Sequence, residues 1–329
     1  MKCVLGIDTS NYTTSVCAVA AVDGTLLASA RKLLPVTDGQ RGLRQSDALF
    51  FHVRQLPMVM GELMQHLHVA GVSPEWVAAG VSVRPRPYAS SYMPVFQAGA
   101  SFATSFTQAI GIPLVHTSHQ EGHLAAAEHF VPVEGRRFVA VHISGGTSDV
   151  MIAERTAFGY KVDLIGEGLD LHAGQFVDRV GVHLGLPFPA GPELERLASS
   201  LGHESSDEQP SFALPASVRG AQMSFSGPLS AAIRALDAGT SPELVASAVQ
   251  RCIAQSVAKA VEYAIREHDD SIREVLVAGG VASNAVICQR VTQRLLKRVR
   301  GVRVQFAPPE FARDNALGVA RIAQGRFRA

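Results

Sequence analysis

Two histidines four residues apart, His119 and His123, are the side chains of this sequence best arranged to bind a metal ion. They lie in the segment HQEGHLAAAEHF (119–130), whose alanines and leucine favour a helix. Residues four apart in a helix project from the same face, so their imidazoles can bind one ion together. The alternative from spacing alone is a pair of histidines on a half-exposed helix face without a ligand.

The surrounding residues restrict the chemistry that this pair can support. Gln120 follows His119 directly, whereas the helix of zinc peptidases needs a glutamate at that position. Asp314, at the predicted start of the last helix, is the carboxylate placed to become a third ligand, although an N-cap role would also explain it. Two imidazoles and one carboxylate suit iron or zinc better than magnesium, and spacing does not choose between those two metals.

Two turns that contain glycines, each after an apolar strand, are suited to an anionic ligand. Residues 144–148 (SGGTS) follow the predicted strand 138–143, and residues 279–284 (GGVASN) follow the predicted strand 274–278. Glycines let backbone N–H groups approach phosphate oxygens closely, or supply a turn that needs positive φ. We expect one of these roles for Gly145 and for Gly280. A hairpin turn without a ligand is the alternative at residues 144–148.

The elements that must position these residues form two similar halves. Each half opens with three predicted strands joined by short turns, the first set at residues 2–7, 16–22 and 25–30 and the second beginning at residue 138. This repetition predicts two related lobes. Pro113 breaks the chain, so we place an N-terminal lobe at 1–113 and a C-terminal lobe at 114–329, with the last helix packing back on the first lobe.

Helices are predicted in the first lobe at residues 46–68 and 95–110, from the helical spacing of their apolar residues. Ser73-Pro74-Glu75 predicts a further helix start, with serine as N-cap and proline at the first helical position. Between the two predicted helices, the sequence thus predicts the start of a short helix at residue 73 and a buried strand at 79–83.

Composition excludes several classes of protein. With 329 residues, 47% of them hydrophobic and 18% charged, the chain can bury a core large enough for two domains. It contains no run of eighteen apolar residues and no leader pattern at its start, so we expect a cytoplasmic protein that does not cross a membrane. The four cysteines include no Cys-x-x-Cys pair and are interpreted as reduced core residues.

A basic segment near the C-terminus is the feature best suited to nucleic acid. The formal net charge of +1 provides no bulk attraction to a polyanion, so any RNA must contact a local patch. A solvated helix face is the commoner meaning of such a run. The segment contains Arg290, Arg294, Lys297, Arg298, Arg300 and Arg303.

Together these features resemble the tRNA threonylcarbamoyladenosine transferase family, formerly described as O-sialoglycoprotein endopeptidases (peptidase family M22). The resemblance spans almost the whole chain. Its motifs are GIDTS (6–10), SHQEGHLAAA (118–127), ISGGTS (143–148), GEGLDLHAGQFVDR (166–179), LGLPFPAGP (184–192), SFSGPLSAA (224–232), VAGGVASN (277–284) and ARDNA (312–316). The resemblance implies an α/β, two-lobed fold of the actin, Hsp70 and sugar-kinase (ASKHA) type, with a nucleotide cleft between the lobes.

The resemblance also implies an activity and a site. Family members use a metal ion to transfer threonylcarbamoyl from threonylcarbamoyl-AMP to adenosine in tRNA. One ion, iron or zinc, would be bound by His119, His123 and Asp314. An adenine nucleotide would be bound by Ser144, Gly145, Gly146, Asp178, Gly191 and Asn284. The expected partners are tRNA at the basic segment, protein partners of a tRNA-modification complex, and a second copy of the chain in a homodimer.

The chain departs from the family pattern at several polar positions. In chain order, Asn11-Tyr12-Thr13 replaces Cys-Asp-Glu, Arg84-Pro85-Arg86-Pro87 replaces a Gly-Pro-Gly stretch, Thr147-Ser148 replaces His-Thr, Leu171 replaces Asp, Gln175 replaces Glu, and Pro228-Leu229-Ser230 lacks the usual basic residue. We interpret the chain as a divergent paralogue, an acyltransferase of this type without the usual N-terminal acids. Its metal and nucleotide residues are retained.

Two other functions are consistent with the sequence. One is a non-catalytic, nucleotide-binding scaffold, comparable to the shortened paralogues that pair with the transferase. The other is a carbamoyl or phosphoryl transferase that acts on another acceptor, since one fold hosts many chemistries. Retention of all three candidate metal ligands argues against a scaffold role alone.

Overall fold

The computed structural model describes residues 1–10, 12–35, 43–88, 90–157, 159–201, 212–308 and 315–328. The chain divides into two compact units. Unit 1 comprises Met1–Phe130, Arg155–Lys161 and Arg313–Ala329, and unit 2 comprises Val131–Glu154 and Val162–Ala312. No helix within the described ranges is long and apolar enough to span a bilayer.

Unit 1 is built on a five-stranded sheet in the order β3-β2-β1-β4-β5. The first three strands are antiparallel, whereas β4 pairs parallel with β1 and β5 pairs parallel with β4. The strands are β1 (Lys2–Thr9), β2 (Thr13–Ala20), β3 (Leu26–Leu33), β4 (Glu75–Ser82) and β5 (Leu114–Thr117). The helices are α1 (Gln45–Val69), α2 (Phe96–Ile110), α3 (His119–Phe130) and α9 (Leu317–Arg328).

Helices cover this sheet because its central strands are apolar on both faces. β1 and β2 are buried along almost their full length, as expected for strands with helices on both sides. Leu5 and Ile7 of β1 share one hydrophobic cluster with Leu56 and Leu63 of α1. Gly6 lies between Leu5 and Ile7. Since side chains alternate along a strand, the position that a Cβ would take at Gly6 is on the opposite face of the sheet.

The last helix packs against the face of β1 that carries Gly6. A Cβ added at Gly6 would lie 2.4 Å from the Ala316 carbonyl oxygen, just before α9 begins. On its other side α9 contacts α3 through Gly318, where an added Cβ would lie 1.8 Å from the Gly122 carbonyl oxygen. Only glycine permits so close an approach of two backbones. These contacts fix the helix that carries the histidine pair.

Replacing Gly318 with alanine is expected to destabilise the protein by about 1–3 kcal/mol or more, because the new methyl group forces α3 and α9 apart. The measurement is the midpoint of urea unfolding with an unchanged m-value. Gly325→Ala is the matched control, since Gly325 lies on the same helix and an added Cβ there meets nothing within 4 Å. That control should be neutral or stabilising, by up to about 1 kcal/mol. Equal midpoints for the two variants would contradict the packing argument.

Unit 2 has its own five-stranded sheet, in the order β12-β11-β6-β7-β8. The strands are β6 (Arg137–Ile143), β7 (Ser148–Thr156), β8 (Gly159–Gly166), β11 (Glu274–Ala278) and β12 (Arg303–Phe306), with β9 (Ser217–Arg219) and β10 (Gln222–Ser224) as a separate hairpin. The helices are α4 (Ala173–His183), α5 (Gly191–Ser199), α6 (Ser226–Asp237), α7 (Pro242–His268) and α8 (Ala285–Arg298). A 3-10 turn, Gly280–Ser283, precedes α8.

The two sheets have equivalent strand orders, which confirms the prediction of two related halves. In each unit the first strand is central, pairs antiparallel with the second, and pairs parallel with a later strand on its other side. The carboxyl ends of β6 and β11 therefore lie side by side, and the two glycine turns of unit 2 follow directly from those ends.

Two segments differ from the sequence analysis. The division of the chain places β5 and α3 in unit 1, beyond the boundary drawn after residue 113, because β5 pairs with β4 and α3 packs on α9. The helix start predicted at Ser73-Pro74-Glu75 is wrong, since β4 begins at Glu75. The Glu75 N–H donates to the Met1 carbonyl oxygen at 2.8 Å, so strand pairing with β1 overrides the local helix signal.

Candidate functional site

The helix that carries the two histidines begins with a capping box. The Ser118 hydroxyl accepts from the Glu121 N–H at 3.2 Å, and the Glu121 carboxylate accepts from the Ser118 N–H at 2.9 Å. The next two N–H groups, of His119 and Gln120, donate to the Arg84 and Pro85 carbonyl oxygens at 2.9 and 3.0 Å. The segment RPRP (84–87) that replaces a glycine-rich stretch of the family therefore holds the start of α3.

The predicted histidine pair is brought together as a pair of facing nitrogens. His119 Nε2 and His123 Nε2 are 3.0 Å apart, and the His123 ring is almost fully buried. Two nitrogens bound at about 2.0–2.1 Å to one tetrahedral ion would be roughly 3.3 Å apart. The spacing in the structure therefore fits two ligands of one ion. Asp314, predicted as the third ligand, lies outside the described residues.

One carboxylate that the sequence analysis did not assign contacts this pair. Asp8, at the end of β1, is fully buried, and its Oδ1 and Oδ2 lie 3.0 and 3.1 Å from His119 Nδ1. The Ser82 hydroxyl, at the end of β4, donates to Asp8 Oδ1. Asp8 and His119 are 111 positions apart, so only the presence of an acid in the motif GIDTS pointed to it.

The polar turn after β1 is held by contacts inside unit 1. The buried His52 ring contacts the Ser10 carbonyl oxygen at 2.7 Å and the Thr14 hydroxyl at 2.8 Å. Burial lowers the pKa of His52, while the contact with Ser10 and the charge of Asp8 oppose this shift. The Thr9 hydroxyl donates to the Val95 carbonyl oxygen at 3.1 Å. These groups of the turn are thus engaged by the protein itself.

In unit 2, the turn at residues 144–147 is fixed by the start of α4. The Ser144 N–H donates to the Thr147 carbonyl oxygen at 2.8 Å, and the Gly174 N–H donates to the Ser144 carbonyl oxygen at 3.0 Å. A Cβ added at Gly174 would lie 2.6 Å from Gly145 N. Gly145 and Gly146 are exposed, and a Cβ added at either meets nothing within 4 Å. The turn therefore presents open glycine backbone on a rigid support.

Two further predicted nucleotide residues, Asp178 and Gly191, are linked through Ala190. Asp178 lies on α4, and its Oδ1 accepts from the Ala190 N–H at 2.8 Å, immediately before α5 begins at Gly191. Burial raises the pKa of the Asp178 carboxyl above its usual value, and the hydrogen bond from Ala190 opposes that shift. The contact places the start of α5 beside α4.

Asn284 is connected to the same group through α5. Its Oδ1 accepts from the Ile287 N–H at 2.9 Å and so caps α8. The Ala285 N–H donates to Oε1 of Glu195, on α5, at 2.9 Å. Since its oxygen is used by the cap, Asn284 has its side-chain NH₂ group left to offer a ligand. The six predicted nucleotide residues thus belong to one connected region of unit 2, and Gly174 and Glu195 are the supports that the sequence analysis missed.

The expected positive φ falls on a different glycine from those predicted. Gly145 and Gly280 do not have positive φ. Gly279 has φ of +105°, and a Cβ added there would lie 2.2 Å from the Ile143 carbonyl oxygen. Gly279 is therefore the residue of the second turn for which glycine is required, because β11 and β6 are adjacent. At Gly145, close approach of a ligand stays a prediction.

Gly145→Val is expected to weaken AMP binding by about 10–100-fold, because a side chain there keeps phosphate oxygens away from the turn and each hydrogen bond to a charged group is worth roughly 1.5–3 kcal/mol. Thermal stability should change little, as the added atoms enter open space. Isothermal titration calorimetry measures the binding. Gly227→Val, at another open glycine of unit 2, is the control. Wild-type affinity in Gly145→Val would remove this turn from the site.

A second carboxylate ties two motifs of the resemblance together. Asp170 accepts hydrogen bonds from the Ser224 and Ser226 hydroxyls and from the Phe225 N–H. Partial burial opposes ionisation, but these hydrogen bonds outweigh it and lower the pKa of Asp170 to about 2. The loop before α4 is thereby joined to the start of α6. The sequence analysis noted both motifs but gave Asp170 no role.

The basic segment is only partly available to a polyanion. Arg294 pairs with Glu262 at 3.0 Å, and Arg303 pairs with Glu134 and Glu274. Lys297, Arg298 and Arg300, at the end of α8 and just beyond it, are exposed. Besides the two paired arginines, this segment therefore offers solvent three exposed cations and the partly exposed Arg290.

Comparisons with known proteins find the same family along most of the chain. A family model described as "TsaD: tRNA N6-adenosine threonylcarbamoyltransferase" matches residues 92–321. The protein of that description from Methanopyrus kandleri is 29% identical over 305 residues, covering 92% of this chain and 81% of that protein. The one from Enterococcus faecalis is 28% identical over 334 residues, covering 98% and 89%. A probable bifunctional tRNA threonylcarbamoyladenosine biosynthesis protein of Thermoplasma acidophilum is 28% identical, and this chain covers 55% of it.

Solved structures resemble this chain in fold. A ROK family glucokinase from Streptomyces griseus, in complex with glucose and AMPPNP, superposes with a TM-score of 0.52 at 13% identity, covering 98% of this chain and 99% of that one. HypF of T. kodakarensis superposes with a TM-score of 0.56 at 13% identity, covering 99% of this chain and 47% of that one. These likenesses confirm the predicted α/β fold of the sugar-kinase type, and at such identities they establish the fold alone.

Proposed function

The chain belongs to the tRNA N6-adenosine threonylcarbamoyltransferase family, and on this premise we propose that it transfers threonylcarbamoyl from threonylcarbamoyl-AMP to adenosine in tRNA. The observation that carries the proposal is the pair of facing nitrogens on α3, His119 Nε2 and His123 Nε2, at 3.0 Å. A spacing suited to one ion, on a helix that is capped at its start and packed against α9, is what a metal-dependent transferase requires.

His119 and His123, with Asp314 as the oxygen ligand, would hold one iron or zinc ion. Such an ion supplies Lewis acidity toward the oxygens of the acyl phosphate. The donor set fits, because two imidazoles and a carboxylate suit both metals. The buried surroundings of His123 exclude water from one side of the ligand set. The capping box at Ser118 and Glu121 keeps α3 from fraying at the end where His119 lies.

The region of unit 2 that contains the six predicted residues would bind the adenylate. The Gly145 N–H and the Ser144 hydroxyl would hydrogen-bond the phosphate oxygens, where negative charge grows as the adenosine amine attacks, and Gly146 would leave room for their approach. Asp178 would accept from ribose hydroxyls with the oxygen that the Ala190 N–H leaves unused. Gly191 would let the ribose or base approach α5, and the NH₂ group of Asn284 would donate to the base.

Partners follow from the same proposal. The exposed Lys297, Arg298 and Arg300 would contact tRNA phosphates, and this contact would weaken as salt rises. Relatives named as bifunctional biosynthesis proteins carry this domain in a longer chain. We therefore expect this chain to work with protein partners of a tRNA-modification complex, in the cytoplasm where tRNA is modified.

A non-catalytic scaffold is the second candidate, and the loss of the acids at Asn11-Tyr12-Thr13 is the observation that favours it. Nucleoside analysis by mass spectrometry distinguishes the two, with tRNA taken from a deletion strain and from strains that express wild-type chain or His123→Ala. Loss of threonylcarbamoyladenosine on deletion, restored by wild type only, supports the transferase. Full restoration by His123→Ala would favour the scaffold. Unchanged modification in the deletion strain would contradict the proposed acceptor.

A further inference from the structure

We propose that Asp8 is a positioning residue of the metal site, which holds His119 in the tautomer and orientation that bind the ion. The inference rests on the proposed metal site at His119 and His123 and adds to it a residue that acts through His119. Asp8 lies in the motif GIDTS, which served only for recognition in the sequence analysis.

The Asp8 carboxylate contacts one nitrogen of the His119 ring with both of its oxygens. Both of its oxygens lie within hydrogen-bond distance of His119 Nδ1, at 3.0 and 3.1 Å. The carboxylate is fully buried, and a buried carboxylate is tolerated only when donors surround it. Ser82 supplies one donor through its hydroxyl, and the ring N–H of His119 supplies the other. The side chain is thus committed to His119.

This contact determines which nitrogen of His119 faces His123. An ionised carboxylate only accepts hydrogen bonds, so the proton of a neutral His119 ring lies on Nδ1 and the lone pair lies on Nε2. Nε2 is the atom 3.0 Å from His123 Nε2. Carboxylate, histidine and metal are arranged in this order in many metal sites, where the outer carboxylate fixes the tautomer of the ligand. Asp8 contacts the opposite edge of the ring, and so orients the ligand without being one.

The charge of Asp8 also favours a cation at His119. Within the described parts of the chain, no lysine or arginine pairs with this carboxylate. A buried negative charge without a cationic partner is costly, and an ion bound through the His119 ring offsets that charge. Removing the charge should therefore weaken metal binding more than it weakens the fold.

The test is Asp8→Asn in the full chain, with Co²⁺ and Zn²⁺ as probes in competition with a chelator. We expect metal affinity to fall by about 10–100-fold. ¹⁵N-histidine NMR of the metal-free protein at about pH 8, where ordinary imidazoles are neutral, should show His119 protonated on Nδ1 in wild type. In Asp8→Asn the signal should move toward the Nε2–H form, because an asparagine NH₂ can donate to Nδ1.

Two controls separate positioning from general damage. Thr9→Val removes a buried hydroxyl next to Asp8 in the chain, one that bonds to Val95, and keeps the carboxylate, so metal affinity should stay at the wild-type level. Asp47→Asn makes the same chemical change at an exposed position of α1 and should have no effect. An equal loss of affinity in Thr9→Val and Asp8→Asn would indicate a structural role and overturn the proposal.

Failure of this inference differs from failure of the metal site. If His119→Ala and His123→Ala lose the metal while Asp8→Asn binds it as wild type does, Asp8 has no positioning role. If the histidine variants bind metal as tightly as wild type, the proposed metal site itself is wrong, and the inference with it. Should Asp8→Asn fail to fold, the wild-type spectrum decides, since an Nε2–H tautomer of His119 contradicts the proposal.

Discussion

Alanine at His119 or His123 is expected to remove the bound metal ion and to slow transfer by at least about 10³-fold, because Lewis-acid stabilisation of the transition state is worth several kcal/mol. Each substitution deletes one of two nitrogens that lie 3.0 Å apart. Metal per chain, measured by mass spectrometry of identically purified proteins, should fall from near one to near zero. Single-turnover transfer from threonylcarbamoyl-AMP to unmodified tRNA gives the rate.

His116→Ala is the matched control for this prediction. His116 lies on β5, only three positions before His119, and is exposed. Its alanine variant should retain the metal and the wild-type rate. Asp314→Ala, made in parallel, tests the third ligand and should lower the metal content as the histidine variants do. Equal metal content in all four variants and in wild type would contradict the proposed metal site.

Transfer by the natural chain is expected to be about 10²–10⁴-fold slower than transfer by a family member with an intact Cys-Asp-Glu, the range that general acid–base catalysis contributes. Tyr12 and Thr13 stand where the two acids would be, and a phenol and a hydroxyl stay uncharged at pH 7. Metal and AMP binding should persist at the same time. The assay is the same transfer reaction, with the partner proteins of an authentic transferase supplied to both enzymes.

Tyr12→Asp provides the decisive variant for the rate prediction. Tyr12 is 42% exposed, so an aspartate there stays solvated, whereas Thr13 is 5% exposed and a glutamate would bury a charge. Tyr12→Asp should recover part of the lost rate. Tyr12→Asn should not, because asparagine is neutral although it is similar in size to aspartate. A wild-type rate equal to that of the intact family member would show that these positions are dispensable.

Much of the local structure follows from sequence alone. Helix α1 was predicted at 46–68 and spans Gln45–Val69, and α2 was predicted at 95–110 and spans Phe96–Ile110. Both helices have apolar residues at a period that only one face of a helix can bury. The close approach of the His119 and His123 rings also follows from sequence alone. A separation of four residues in a helix places both rings on one face whatever surrounds them.

Tertiary contacts decided the features that depend on distant partners. Ser73-Pro74-Glu75 has the residues of a helix start, yet β4 begins there because its N–H and C=O groups pair with β1. The glycine that has positive φ is Gly279 rather than Gly280. Only glycine fits there, because the Ile143 carbonyl oxygen of a neighbouring strand occupies the space of a Cβ. Neither outcome is visible in a window of sequence, since the partner lies some 70 to 140 positions away.

The candidate sites divide in the same way. Residue types and spacing determined which side chains bring chemistry, namely the histidine pair, the glycine turns, and the acids and amides near them. Only the tertiary structure placed Asp8 against His119, across 111 positions, and joined Asp178, Gly191 and Asn284 through Ala190 and Glu195. A hydrogen bond between remote segments depends on where whole strands and helices pack, and no local pattern of residues encodes that position.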